Sequence, residues 1–276
     1  MVTGYSLLRR CTSHVVLLCG LIFILAPVVL MLFSSTHTTQ VLQQQGLQWF
    51  PGEHAVSNYS RVFGFEAGYF DQVTPGAMLI NSLIVAVGVA TLTTFFSLLT
   101  AYAIVFFRMP VAAGVFWLVL ATLLFPLESR FITTFQVTAS LGLINTHMGI
   151  ILPVLAAALG TFFFRQYFLT LPKHLIEAAI LDGAGPLKFF VDIIMPISLP
   201  RAGAIFVIAF MIGWNQYLWP LMISTDDSMY TLVRGIRLIG QESGPGMALL
   251  VITIIPPFIL LLAFQRWFYQ ALTHVE

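Results

Sequence analysis

No Asp, Glu, Lys or Arg occurs between residues 72 and 107, and from Met78 to Phe107 the side chains are apolar apart from Asn81 and scattered Ser and Thr. As a helix, such a run would be roughly 45 Å long, too long to bury in the core of one small domain. Crossing a bilayer takes about 20 apolar residues, so the run reads as a membrane span that tilts or protrudes. A second run, His14 to Phe33, follows Arg9 and Arg10. It exceeds the 7–15 apolar residues of a signal peptide and no Ala-x-Ala site follows it, so it reads as an uncleaved first span. The whole chain agrees: of 276 residues, 59% are hydrophobic and 8% charged, against about 25% charged in soluble domains. The net charge of +1 gives no bulk attraction for nucleic acid. Cys11 and Cys19 lie eight residues apart, about 12 Å along a helix and beyond disulfide reach.

Four further spans are expected near residues 111–127, 148–164, 202–223 and 247–264. Residues 131–145 are too few to cross and read as a short helix at the interface. The expectation is therefore one all-α membrane domain over 1–276 with six spans and both termini cytoplasmic. Residues 34–76 and 224–245 form external polar segments, and 166–200 a cytoplasmic loop. The basic residues test the topology. Arg9, Arg10, Arg108, Arg165, Lys173, Lys188, Arg201 and Arg266 fall inside, while Arg61, Arg130, Arg234 and Arg237 fall outside. That bias has the positive-inside sign.

Enzyme motifs are missing. The only lysines, Lys173 and Lys188, are followed by His and Phe, so no G-x-x-x-x-G-K-[ST] phosphate loop exists. The six histidines are scattered, and no H-E-x-x-H or G-x-S-x-G occurs. No catalytic residue, metal site or cofactor is expected on this chain. Polar groups inside spans are the functional candidates, because lipid burial is costly for them. Trp214, Asn215, Gln216, Tyr217 and Trp219 pair amides with aromatic faces, which suits a polyol or sugar. The alternative is an aromatic belt at the outer interface. Glu128 and Arg130, with Gln136 beyond, form a second set, in which Arg130 could attract an anion or simply close a salt-bridged helix end. Asn81 and Ser82 are further candidates near the start of the long span.

Residues 172–196 are the least membrane-like part of the second half. Pro172 suits a first helical turn, and Leu175, Ala178 and Ala179 share a small face. Gly183 and Gly185 are expected to supply a turn at positive φ. Pro186 then opens a second helix with the stripe Leu187, Phe190, Val191 and Ile194, which Pro196 ends. Glu177, Asp182, Lys173 and Lys188 leave charged edges around the small face. The shape is that of a knob for a groove on a partner, or of a hairpin that merely joins two spans.

Glu177-Ala178-Ala179, Gly183, Ile193 and Pro196 together resemble the EAA loop of ABC importer permeases, at that family's spacing. Met195 stands where the family usually has Leu, a volume-conserving exchange. Arg165-Gln166-Tyr167-Phe168, Thr170-Leu171-Pro172, Asp182-Gly183-Ala184 and the run from Gly213 to Pro220 resemble the carbohydrate-importer branch, above all its glycerol-3-phosphate-type permeases. The resemblance covers about residues 78–276 and is weak before them. It implies a type I ABC importer permease fold in the cell inner membrane, forming half of a translocation pathway. The implied solute is glycerol 3-phosphate or a related polyol or sugar. Implied partners are a sister permease, an ATPase dimer that carries ATP and Mg, and an extracytoplasmic solute-binding protein. Glu177 would anchor the coupling loop, Gly183 turn it, and Ala178 and Ala179 allow close docking, with Asp182, Ile193 and Pro196 completing the motif. A reading of another class is a secondary transporter or channel working without ATP, which would need intramembrane carboxylates or broken helices; no Asp or Glu lies deep in any expected span.

Overall fold

A computed structural model of the protein describes residues 2–63, 74–107, 109–125, 127–155, 157–239 and 243–273. Among them all regular structure is helical: α1 (Val2–Ser34), α2 (Thr39–Gln45), α3 (Ala55–Phe63), α4 (Pro75–Phe106), α5 (Ala112–Ala121), α6 (Phe131–Ser140), α7 (His147–Ile151), α8 (Ala157–Thr170), α9 (Lys173–Leu181), α10 (Pro186–Phe189), α11 (Met195–Trp214), α12 (Leu218–Ile223), α13 (Leu232–Ile239) and α14 (Gly244–Thr273). Four helical stretches are long and apolar enough to cross a bilayer: Cys11–Ser34, Pro75–Phe106, Pro186–Trp214 and Gly244–Trp267.

The other two expected spans differ from expectation. The third is a 13-residue run, Ala112–Leu124, whose last turn tightens to 3₁₀ geometry. The fourth is a pair, His147–Val154 and Ala157–Thr170, bent by 50°. Pro153 lies in the 3₁₀ turn just before the break, where it lacks the N–H the helix ladder needs. The fifth begins earlier than expected. Helix runs from Pro186 to Trp214 because Phe190–Ile194 is π-helical, with the Met195 N–H bonded to the Phe190 carbonyl. Pro196 therefore does not end a helix; it opens the first turn of α11, just past the wide π turn.

The chain forms two compact units, Met1–Gly76 with Gly235–Ile255, and Ala77–Arg234 with Pro256–Glu276. In the first, none of the best apolar window of α1 is buried. The polar segment after α1 is folded rather than loose. Asn58, 4% exposed, donates to the Ser35 and His37 carbonyls at 2.8 Å each. Gln48 N–H reaches Ser34 Oγ at 2.9 Å, and Gly52 N–H reaches Thr36 Oγ1 at 2.6 Å. Glu66, Asp71 and Arg108 lie outside the described residues.

The second unit has two buried clusters along α4. One gathers Leu98, Tyr102, Phe164, Phe168, Phe189 and Ile194. The other gathers Val85, Val89, Ile150, Val154, Trp219 and Ile223. At about 25 cal/mol per Å² of apolar area, such clusters dominate packing within the chain.

Candidate functional site

The stretch from α9 to α10 is a helix, a glycine turn and a helix, as its sequence predicts. Gly183 has φ +70°, where a Cβ would be strained. The turn after α9 closes with Ala184 N–H on the Ala179 carbonyl at 2.9 Å, the six-to-one bond of a Schellman motif. Gly185 departs from expectation. Its φ is −68° with extended ψ, so it is an ordinary cap before Pro186 at the first turn of α10.

Burial divides the motif in two. Glu177, Ala178, Asp182 and Lys188 are exposed, while Ala179 is buried against the chain's own core. The small face thus splits, with Ala178 outward and Ala179 inward. The expected stripe of α10 shifts too. Phe189, Phe190 and Ile194 are buried, while Leu187 is 75% exposed, because the π turn changes the register. Leu181, at the other side of the turn, is 86% exposed. Ile193 and Met195 are half-buried and Pro196 is exposed.

Aromatic side chains hold this knob at its base. Tyr102 packs against Phe106, Phe189 and Phe190, with centroids at 5.2, 6.2 and 5.0 Å. Its hydroxyl donates to the Pro186 carbonyl at 2.8 Å. A groove of about 320 Å³ lies between the end of α4 and α9, lined by Phe106, Phe107, Ile176, Ala179 and Ala184 among others. Arg201 stacks on the Tyr167 ring at 3.6 Å, and Arg165 on Phe116 at 4.1 Å.

Near the other end of α4, the amide–aromatic set does not act as one group. The helix breaks after Trp214, and Asn215, Gln216 and Tyr217 connect α11 to α12. Asn215 is exposed and caps α11 by donating to the Met211 carbonyl at 2.9 Å. Gln216 and Tyr217 are half-buried. Trp214 and Trp219 instead face inward, at 3% and 2% exposed. Trp214 stacks on Phe210 at 5.7 Å, and Trp219 Nε1 donates to the Gly149 carbonyl at 3.1 Å. Gly213 brings α11 onto α4: a Cβ there would lie 3.0 Å from Ala86 Cα and Val89 Cβ. Arg130 and Gln136 are exposed, Arg130 at the start of α6; the Glu128 side chain lies outside what the structure describes.

Three polar residues near this end carry more structure than their sequence context shows. Asn145 has φ +56° and its Oδ1 accepts from Thr225 and Asp226 N–H at 2.6 and 3.0 Å. Asn81 donates to the Ser228 and Tyr230 carbonyls at 2.7 and 3.1 Å. Arg234 donates to the Pro220 carbonyl at 3.2 Å and to that of Ser224, and stacks on Tyr230 at 3.6 Å. Burial lowers the Arg234 guanidinium from its ordinary value, and a hydrogen bond to Asp227 raises the Tyr230 phenol. Ser228 N–H, 2.9 Å from Asp226 Oδ1, holds that carboxyl below its usual range. Asn-Thr at 145–146 is a turn signal; Arg234 sits in a segment too polar for hydropathy to place.

Residues 82–274 match the family model described as binding-protein-dependent transport system inner membrane component. The chain belongs to that family. This permease is 41% identical over 270 residues to the sn-glycerol-3-phosphate transport system permease protein UgpE of Yersinia pestis, covering 95% of each chain. To the protein of the same name from Agrobacterium fabrum it is 37% identical over 275 residues, covering 98% of each. Its fold matches a chain from the crystal structure of a bacterial ABC transporter involved in the import of the acidic polysaccharide alginate. The TM-score there is 0.80 at 20% identity, over 95% of this chain and 96% of that one. The permease is a multi-pass inner-membrane transport subunit with an ABC importer permease fold, not an enzyme.

Proposed function

We propose that this chain forms half of the translocation pathway of an ATP-driven importer for sn-glycerol 3-phosphate or a related polyol or sugar. It would cross the membrane six times as one permease domain, with both ends in the cytoplasm. A sister permease would complete the pathway, a separate ATPase dimer would carry ATP and Mg, and an extracytoplasmic binding protein would deliver solute. The α9–α10 knob would dock on the ATPase and carry its closure into the spans, biasing an inward- against an outward-open state.

One observation supports coupling most directly: a base buried in the core with an exposed apolar tip. Phe189, Phe190 and Ile194 fix the base, while Leu181 and Leu187 stand out beside Glu177, Ala178 and Asp182. Exposed Leu pairs rimmed by charge fit a protein partner. At the other site, Asn215, Gln216 and Tyr217 would face solute where α11 breaks, braced by Trp214 and Trp219. Arg130 and Glu128 would act at the pathway's rim. The full names of the relatives favour glycerol 3-phosphate as solute.

The test is uptake by the full complex in proteoliposomes, with glycerol 3-phosphate, glycerophosphodiesters and disaccharides as the panel. ATP-dependent uptake of glycerol 3-phosphate is expected. Glu177→Lys and Gly183→Asp are expected to insert normally yet uncouple ATP hydrolysis from uptake. Normal uptake by both variants, or uptake by this chain alone on an ion gradient, overturns the reading.

A further inference from the structure

Helix α4 is bonded near both ends, to the α9–α10 knob at one and to the segment at 228–230 at the other. Near its C-terminus, Tyr102 is 6% exposed, so its hydroxyl needs a partner. It finds the Pro186 carbonyl at 2.8 Å, which also accepts the Phe190 N–H of the α10 turn. Twenty-one residues earlier, Asn81 is 8% exposed and its Nδ2 donates to the Ser228 and Tyr230 carbonyls. With the Asn81 amide nitrogen so engaged, its Oδ1 accepts from His147 Nε2 at 3.0 Å. The two bonded positions are roughly 32 Å apart at 1.5 Å per residue, about the thickness of a bilayer core. No proline follows Pro75 in α4 to give a hinge. Between the two ends, Ala86 and Val89 meet Gly213 directly before the break at 215–217.

We propose that Tyr102 and Asn81 are positioning residues that make α4 a strut between the α9–α10 knob and the segment at 228–230. The inference rests on the coupling role given to the knob above. Displacement of α10 is passed to α4 through the Tyr102–Pro186 bond. Packing moves as a whole, but a directional bond fixes which part of α4 follows α10. At the other end Asn81 passes the shift to the segment that follows α12. Along α4 the two links act in series, so loss of either slackens this path, which runs beside the continuous helix from Pro186 to Trp214.

The measurement is solute moved per ATP hydrolysed, in proteoliposomes holding the full complex, with glycerol 3-phosphate as solute and values taken per assembled complex. Tyr102→Phe removes one hydroxyl and leaves the ring. It is expected to lower the ratio about fivefold, the factor carried by a neutral hydrogen bond of about 1 kcal/mol. Asn81→Ala should lower it similarly, and the double variant should fall no further than the worse single one, as links in series require. Phe168→Leu, in the same buried cluster as Tyr102, should lower thermal stability at an unchanged ratio. A normal ratio in Tyr102→Phe overturns the strut, as does a double variant in which the two losses multiply. A fall in Phe168→Leu equal to that in Tyr102→Phe also overturns it, because packing alone then suffices. Absence of ATP-dependent uptake in the unmodified complex instead defeats the coupling reading, and the strut with it.

Discussion

Trp219 and Asn215 lie four residues apart and serve opposite ends. Trp219 fills the cluster with Val85, Ile150 and Ile223 and donates to a buried backbone carbonyl. Trp219→Ala is expected to cost about 3–5 kcal/mol, as large-to-small core exchanges do. Trp219→Phe keeps most of the packing and leaves the Gly149 carbonyl without its donor, costing about 1–3 kcal/mol. Thermal unfolding in detergent separates the two. Asn215→Ala removes only an exposed cap, and its stability should change by about 1 kcal/mol or less; its effect should appear in solute affinity instead. In the sequence these residues form a single amide–aromatic cluster. Composition marks them as unusual inside a span, but which ring turns inward depends on where α11 breaks. Hydropathy carries no trace of that break.

Two neighbouring elements, α9 and α10, differ in how they are held. Short α10 leads through Phe189, Phe190 and Ile194 into a helix that continues to Trp214. α9 puts Ala179 into the core and flanks the groove beside α4. Fewer buried contacts mean easier local opening. Amide hydrogen exchange is therefore expected to be markedly faster over 174–181 than over 189–199, and equal protection would refute this. The long apolar helices, the Pro186 start and the Gly183 turn were legible in the sequence, because each follows from local chemistry or length. The place of Pro196 was not. Pro153 accompanies a 50° bend, whereas Pro196, Pro256 and Pro257 lie within helices. Pro196 stays inside its helix because the π turn just before it widens the ladder, and no residue pattern announces that register change. Segment 224–245 shows the same limit: read as polar loop, it contains α13, whose apolar side includes buried Leu232 and Ile236.

For the molecule as a whole, the proposed topology places the α9–α10 tip and the Asn145 latch on opposite sides of the membrane. Cys11 and Cys19 are exposed, so labelling starts from a background with both replaced by Ser. A cysteine at Leu187 is expected to react with an impermeant maleimide only from the cytoplasmic side, and one at Thr225 only from outside. Reaction of both from one side would rule out the arrangement. The bare flank of α1 has a consequence of another kind. Since Phe23 is 82% exposed and the window around it unburied, its neighbours within this chain impose no shape on it. Exchanges among Leu, Ile, Val and Phe there should be nearly silent for this subunit's fold. Positions 11–25 can then diverge quickly between relatives while α4, threaded through two cores, stays close to fixed.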